Sequence, residues 1–122
     1  MSANRLTASF KDAYHGVKFV FKHERNFRIQ IFLAILTVII GYFLGLKAYE
    51  WILVILLSAL VLILELINTA MEKFLDVLKP RMHHFVAVIK DIMAAAVLLA
   101  SIGAAGIALI IFVPKLIEYF RG

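Results

Sequence analysis

The chain has 122 residues, of which 64% are hydrophobic and 17% charged, and its formal net charge is +5. One small core could not bury so much apolar surface, so the composition excludes an ordinary soluble domain and predicts a protein partly solvated by lipid. The basic excess is assigned to membrane topology and anionic lipid rather than to nucleic acid, because no compact basic domain is left to bind DNA or RNA. The sequence contains no cysteine, which excludes disulfide bonds and thiol chemistry.

Residues 1–27 predict an amphipathic helix that lies in the membrane interface. Apolar side chains recur there at helical spacing, and charged side chains occupy the other face. The apolar positions are Leu6, Phe10, Ala13, Tyr14, Val17, Val20 and Phe21, and the charged positions are Lys11, Asp12, Lys18 and Lys22. We do not expect a cleavable signal peptide, because the apolar run begins late and no small-residue cleavage site precedes Tyr14.

Three apolar segments, 29–46, 51–71 and 92–114, predict transmembrane helices. Each is close to or above the roughly 20 residues that cross a hydrocarbon core about 30 Å thick. Pro80 disfavours helix at the residue before it, which sets the expected end of the second helix near Leu78. We therefore expect an all-α membrane protein with a single domain, 1–122, in which residues 73–90 form a helix end and a cytoplasmic loop.

The basic residues predict the orientation of the spans. Ten lie before the first span or between the second and third, and three lie on the other side of the membrane. The ten are Arg5, Lys11, Lys18, Lys22, Arg25, Arg28, Lys73, Lys79, Arg81 and Lys90, and the three are Lys47, Lys115 and Arg121. Because cytoplasmic segments carry the basic excess, the N-terminus and the 73–90 connection are expected in the cytoplasm.

A stripe of acid, amide and hydroxyl groups near the end of the second span is the strongest functional signal. Glu65, Asn68, Thr69, Glu72 and Asp76 are offset from the first of them by 3, 4, 7 and 11 residues, which places them on one helix face. We call this set the polar stripe. An ionisable group at membrane depth costs about 2.5 to 3.5 kcal/mol on insertion scales, so a functional site is the default hypothesis.

The depth of the polar stripe suggests two kinds of chemistry. At about 1.5 Å per residue from an interfacial Trp51, Glu65 lies roughly 21 Å into the bilayer, while Glu72 and Asp76 reach the far surface. The deep carboxylate suits a general base for a hydroxyl, and the surface acids suit Mg²⁺ held together with substrate phosphates. The same pattern also suits a proton or cation pathway, so a non-enzymatic conducting or scaffold bundle is an alternative.

Two other polar groups are weaker signals. His83 and His84 could bind metal or phosphate, but adjacent residues of a helix face different ways and two histidines form a poor metal site. We expect a solvated pair in the cytoplasmic loop. Lys90 and Asp91, at the mouth of the third span, are by composition alone an interfacial anchor.

Three blocks of the sequence together resemble one known family. They are Lys22-His-Glu24-Arg25-Asn26-Phe27-Arg28-Ile29, Glu65-Leu-Ile-Asn68-Thr69-Ala-Met-Glu72 and Lys90-Asp91-Ile-Met-Ala94-Ala95-Ala96-Val97. The chain resembles the small integral-membrane diacylglycerol and undecaprenol kinases of prokaryotes over almost its whole length. This resemblance implies a homotrimer with active sites shared between subunits, in the inner membrane of a bacterial cell. It also implies phosphorylation of a lipid alcohol on the cytoplasmic side, with ATP as co-substrate and Mg²⁺ as cofactor.

The resemblance further implies roles for individual residues. Glu65 matches the catalytic base, Glu24 and Glu72 match the carboxylates that hold the divalent ions at the ATP phosphates, and Asn68 and Lys90 match the groups that orient and neutralise those phosphates. The other positions that match residues near ATP are Arg5, Asp12, Gly16, Asp76, His83 and Asp91.

The resemblance also bears on the substrate. The block at residues 24–29 is closer to the undecaprenol kinase branch, so phosphorylation of undecaprenol to undecaprenyl phosphate is expected, and a diacylglycerol kinase making phosphatidic acid is the alternative. The sequence departs from the family pattern at Met71 and Lys73, and from the diacylglycerol branch at Ala8 and Asp12. Lys73 is expected to weaken ion binding, because it lies beside a metal-binding acid.

Overall fold

The computed structural model describes residues 3–122 as four α-helices. They are α1, Ala3–His23; α2, Arg25–Leu44; α3, Ala48–Leu78; and α4, His83–Arg121. Helices α2, α3 and α4 are each long and apolar enough to cross a membrane. Across the described range no strand interrupts them, so the predicted all-α class and the presence of three candidate spans are confirmed.

The connection between α3 and α4 is shorter than predicted. Helix α3 ends at Leu78, where Pro80 was expected to stop it. Residues 83–90 were predicted as part of a loop, but they form the first turns of α4. The connection between α3 and α4 is therefore residues 79–82. The loop prediction is wrong because apolar residues continue at helical spacing there, and Val86 is buried.

Helix α4 continues through Pro114 to Arg121. A proline inside a helix has no N–H to donate to the carbonyl one turn earlier. Such a break in the hydrogen-bond ladder is tolerated in membrane helices, where neighbouring groups satisfy the freed carbonyl. The end of the apolar segment at residue 114 is therefore not the end of the helix.

A sharp corner at Glu24 separates α1 from α2. The backbone of Glu24 is extended, with φ −115° and ψ 112°, so the chain changes direction between the two helices. Arg28 stabilises the corner, because its Nη1 donates to the carbonyl oxygens of Phe21 at 2.8 Å and of Lys22 at 3.1 Å. These carbonyls lie in the last turn of α1 and lack helical partners. Glu24 itself is partly exposed at this corner.

The opposite end of the bundle is tied by packing and by a buried ion pair. Gly45 has φ 69° and donates its N–H to the Gly41 carbonyl, which closes α2 in a left-handed cap. Glu50 is buried, and its Oε1 lies 3.1 Å from Lys115 Nζ and accepts the Lys47 N–H at 2.9 Å. A hydrophobic cluster beside these groups consists of Leu46, Val54, Ile111 and Phe112.

Helix α3 lies at the centre of the chain's packing. It contacts α1, α2 and α4, whereas α1 and α4 do not contact each other within residues 3–122. Most large hydrophobic side chains on the outer faces of the helices are exposed, as expected when lipid covers them. Burial on α3 instead includes the polar residues Glu50, Glu65 and Thr69.

Replacing Gly41 by alanine is expected to destabilise the fold by about 1–3 kcal/mol, the usual cost of overpacking. The new Cβ would lie 2.8 Å from Leu46 Cδ1 and 3.1 Å from Trp51 Cη2, so both side chains must shift. Unfolding by sodium dodecyl sulfate in mixed micelles, followed by circular dichroism, measures the change.

Gly103→Ala is the matched control, because a Cβ at this helical glycine meets no atom within 4 Å. It is expected to stabilise the protein by about 0.5–1 kcal/mol through helix propensity alone. Equal effects of the two substitutions would contradict the close packing assigned to Gly41.

Candidate functional site

The polar stripe of α3 is covered by the rest of the chain at its membrane end. Glu65 is 3% exposed and Thr69 is 2% exposed, and the Thr69 hydroxyl donates to the Glu65 carbonyl oxygen at 2.9 Å. No cation in residues 3–122 forms an ion pair with the Glu65 carboxylate. Buried charges are normally paired or bound to metal, so this carboxylate is an exception that stability does not explain.

Asn68 is a second exception, one turn away from Glu65. Its Oδ1 atom is buried, and it accepts no hydrogen bond from the described part of the chain. A buried polar atom without a partner costs about 1–3 kcal/mol relative to a paired one. A buried polar atom without a partner in a native fold calls for an explanation. One explanation is that the oxygen accepts a hydrogen bond from a ligand.

Glu65 lies within electrostatic range of two other carboxylates. The charges of Glu24 and Glu72 both act on the Glu65 carboxylate, although Glu24 comes from the α1–α2 corner and the other two come from α3. Glu24 forms no side-chain cap to α2, and both it and Glu72 are partly exposed. Glu24 and Glu72 are therefore the two acids whose charges reach Glu65, and their roles in catalysis and metal binding stay predictions.

Lys90 reaches the outer end of the same stripe. Its Nζ donates to Asp76 Oδ1 at 2.7 Å, and the charge of Glu72 also acts on it. Lys90 and Asp76 were predicted separately near ATP and were not paired. The available signal was their opposite charge at the two ends of the connection between the second and third spans.

A cavity of about 460 Å³ lies beside the polar stripe, between α1 and α3. Thr69 and Lys73 contribute to its wall on α3, and Lys73 Nζ lies 5.8 Å from the centre of the Phe19 ring on α1. Its other lining residues are Ala13, Gly16, Val17, Val20, Leu66 and Ala70. A volume of this size is within the range of ligand pockets, and the mostly apolar lining suits a hydrophobic ligand.

A second cavity, of about 410 Å³, lies deeper between α2, α3 and α4. Val61 and Leu62 line it on α3, one turn on the membrane side of Glu65. Small and hydroxyl-bearing residues complete the wall, among them Ser58, Ser101 and Ala104. Its position below the acids makes it part of the membrane-embedded packing and not of the acidic group itself.

The other predicted ATP-binding residues lie on exposed helix surfaces. Arg5 and Asp12 are on α1, His83 is the first residue of α4, and Asp91 follows Lys90 on α4. The predicted solvated state of His83 and His84 agrees with their exposure, although they begin a helix instead of lying in a loop. Gly16, also predicted near ATP, lines the cavity between α1 and α3.

The acids do not form a closed metal site. Within the described residues, no group of three or more His, Cys, Asp or Glu side chains is placed to hold a metal ion. A structural zinc site is therefore absent from that part of the chain. Mg²⁺ is usually held by only one or two carboxylates together with substrate phosphates, and Glu24 and Glu72, which are partly exposed, fit that arrangement.

Comparison with known proteins supports the sequence resemblance. The model of a family described as prokaryotic diacylglycerol kinase matches residues 11–112. A diacylglycerol kinase of Synechocystis sp. is 39% identical over 117 residues, which are 95% of this chain and 67% of the relative. An undecaprenol kinase of Bacillus subtilis is 34% identical over 113 residues, which are 93% of this chain and 92% of the relative.

Replacing Asn68 by leucine is expected to raise the free energy of unfolding by about 1 kcal/mol. The substitution removes a buried oxygen that has no partner in the described part of the chain, so its desolvation cost disappears. Detergent unfolding followed by circular dichroism measures the gain. Asn26→Leu, at an exposed position of α2, is the control and is expected to change stability by less than about 0.5 kcal/mol. A loss of stability in Asn68→Leu would show that the amide is a structural group.

Proposed function

Because the chain belongs to the prokaryotic diacylglycerol kinase family, it is a lipid kinase, and we propose that it phosphorylates a membrane lipid alcohol at the polar stripe of α3. The observation that carries this proposal is the buried Glu65 carboxylate, which has no counter-ion among residues 3–122. It lies one turn from Asn68, whose Oδ1 accepts no hydrogen bond from those residues. Family membership identifies an enzyme, so the non-enzymatic conducting or scaffold bundle is set aside.

Glu65 is the proposed general base. It accepts the proton of the lipid hydroxyl while the hydroxyl oxygen attacks the γ-phosphorus of ATP, and the bond from that phosphorus to the bridging oxygen of ADP breaks. Its depth near the end of the second span is where a lipid hydroxyl can meet a nucleotide from the cytoplasm. A carboxylate without an ion pair keeps its lone pairs available for this proton.

Lys90 is proposed to neutralise the transferred phosphoryl group, and Asn68 is proposed to orient it by donating from its Nδ2 amide group, because the Oδ1 atom can only accept hydrogen bonds. Phosphoryl transfer depends mainly on alignment and on stabilising charge on the phosphate oxygens, so a cation and an amide can serve without a large nucleotide-binding domain. Glu24 and Glu72 are proposed to hold Mg²⁺. The ion held there would offset the negative charge of the ATP phosphates.

Undecaprenol is the proposed substrate, and diacylglycerol is the alternative. The similarity of residues 24–29 to the undecaprenol kinase branch favours the first. One relative of each name covers nearly all of this chain, so the comparisons support the lipid kinase class and leave both alcohols as candidates. Both substrates place a hydroxyl at the interface and an apolar tail in lipid.

The proposed assembly is a homotrimer in the inner membrane, with the site on the cytoplasmic side. In this arrangement α1 lies in the interface, which agrees with the exposure of Leu6, Phe10 and Tyr14. Arg5, Asp12, His83 and Asp91 are proposed to approach ATP from the cytoplasm, with neighbouring subunits completing each site.

Glu65→Gln is expected to lower phosphate transfer by about 10²–10⁴-fold, the usual contribution of a general base. Purified protein in micelles is incubated with Mg²⁺ and γ-labelled ATP, and label in undecaprenol and in diacylglycerol is counted side by side. The exposed Glu118 at the other end of α4 provides the control, and Glu118→Gln is expected to retain activity.

The assignment of the base fails if Glu65→Gln remains fully active. The proposed function fails if the unaltered protein labels neither alcohol nor any other lipid alcohol. Preferential labelling of diacylglycerol would show that diacylglycerol, and not undecaprenol, is the substrate. The proposed roles of the site residues would not change.

Removal of divalent ions with a chelator is expected to abolish transfer, and Mg²⁺ is expected to restore it. Glu72→Gln removes one of the two proposed ion ligands, so the Mg²⁺ concentration for half-maximal activity is expected to rise about tenfold, or about 1.4 kcal/mol of binding free energy. Titration with Mg²⁺ at saturating ATP measures the shift. An unchanged midpoint in Glu72→Gln would exclude this residue as an ion ligand.

A further inference from the structure

The hydrogen bond between Lys90 and Asp76 links the two helices that carry the site. The Lys90 Nζ atom lies 2.7 Å from Asp76 Oδ1, on the far side of the turn at residues 79–82. Asp76 follows Glu72 by one helical turn, and the charge of Glu72 also acts on Lys90. The ammonium group is therefore held beside the surface acids of the polar stripe.

This ion pair has little effect on the stability of the fold. The Asp76 side chain is 53% exposed and that of Lys90 is 33% exposed, and ion pairs this accessible to water contribute little to folding. The α3–α4 connection is stabilised instead by buried apolar residues, including Leu75 and Val86. The main consequence of the pair is thus the location of the ammonium group.

Without an anchor, the Lys90 ammonium has many alternative positions. A lysine carries its charge on a flexible four-carbon chain and is strongly hydrated, so it is poorly pre-organised for one ligand. The ammonium has three N–H donors, and Asp76 accepts one of them. Two donors remain for phosphate oxygens while the ion pair stays intact.

We propose that Asp76 is a positioning residue, which holds the Lys90 ammonium at the outer end of the polar stripe and does not itself bind the nucleotide. A carboxylate can only accept hydrogen bonds and repels the phosphates, so a direct role in binding them is unfavourable. This assignment revises the sequence-based placement of Asp76 among the ATP ligands, and it rests on the proposed function of the same site.

A double-mutant cycle separates action through Lys90 from direct contact with ATP. The four proteins are the unaltered chain, Asp76→Ala, Lys90→Ala and the double variant, and the readouts are the Kd of Mg-ATP by equilibrium dialysis and the rate of phosphate transfer. Asp76→Ala alone is expected to weaken ATP binding about tenfold. In the Lys90→Ala background, the same substitution is expected to have no further effect, because its partner is already gone.

The proposal is overturned if each single variant weakens ATP binding and the two factors multiply in the double variant. That result would indicate direct contact of Asp76 with the nucleotide. Asp76→Asn keeps an acceptor oxygen and is expected to retain part of the affinity lost in Asp76→Ala. Glu118→Ala, which removes an exposed acid at the other end of α4, is expected to leave Kd unchanged.

Two further measurements distinguish the possible failures. Detergent unfolding of Asp76→Ala is expected to match that of the unaltered chain, and a large loss of stability would overturn the positioning role in favour of a structural one. If the unaltered chain labels no lipid alcohol, the proposed function fails. If it labels one and the cycle shows independent losses, only the role of Asp76 fails.

Discussion

The fold depends on keeping the polar stripe of α3 away from lipid. A charged or amide side chain facing hydrocarbon costs several kcal/mol, whereas an apolar side chain is stable in that environment. The chain accordingly shows an inverted pattern of burial, in which Glu65 and Thr69 are covered while most large hydrophobic side chains are exposed. Packing of α1, α2 and α4 against α3 provides that cover. Each of these three helices therefore packs directly against α3.

The two ends of the bundle differ in how their buried polar groups are paired. At the Gly45 end, Glu50 has both Lys115 and the Lys47 N–H as partners, and the packing around Gly41 is close. At the Glu65 end, a buried carboxylate has no counter-ion and a buried amide oxygen has no partner within the described residues 3–122. Natural proteins accept such local violations mainly at functional sites, where stability is given up for chemistry. The paired groups at the Gly45 end hold the helices together, so the fold tolerates unpaired polar groups at the Glu65 end.

This arrangement makes a small lipid kinase physically reasonable. Phosphoryl transfer requires few groups if they are aligned and if the charge of the phosphates is neutralised. The carboxylates come from the α1–α2 corner and from α3, and the cation comes from α4, so the four helices of a 122-residue chain suffice. Because the lipid hydroxyl is delivered at a depth set by the bilayer, the protein has little need to recognise the tail. The different substrates named for the two relatives are consistent with this.

Local rules made much of the molecule predictable from the amino-acid sequence. Apolar length predicted the three candidate spans, Pro80 predicted the end of α3 at Leu78, and helical offsets placed Glu65, Asn68 and Glu72 on one face. These features depend only on neighbours along the chain. The family resemblance supplied the proposed roles of Glu24 and Lys90, which no local pattern indicated.

Contacts between helices could not be obtained in this way. The approach of Glu24 to the acids of α3 and the Lys90–Asp76 and Lys115–Glu50 pairs all depend on how the helices cross and rotate against one another. The helical state of residues 83–90 agrees with an apolar spacing that the sequence carries, but the burial of Val86 there depends on packing. Sequence spacing specifies which side chains share a face of one helix, but only the packing of all the helices specifies which faces meet.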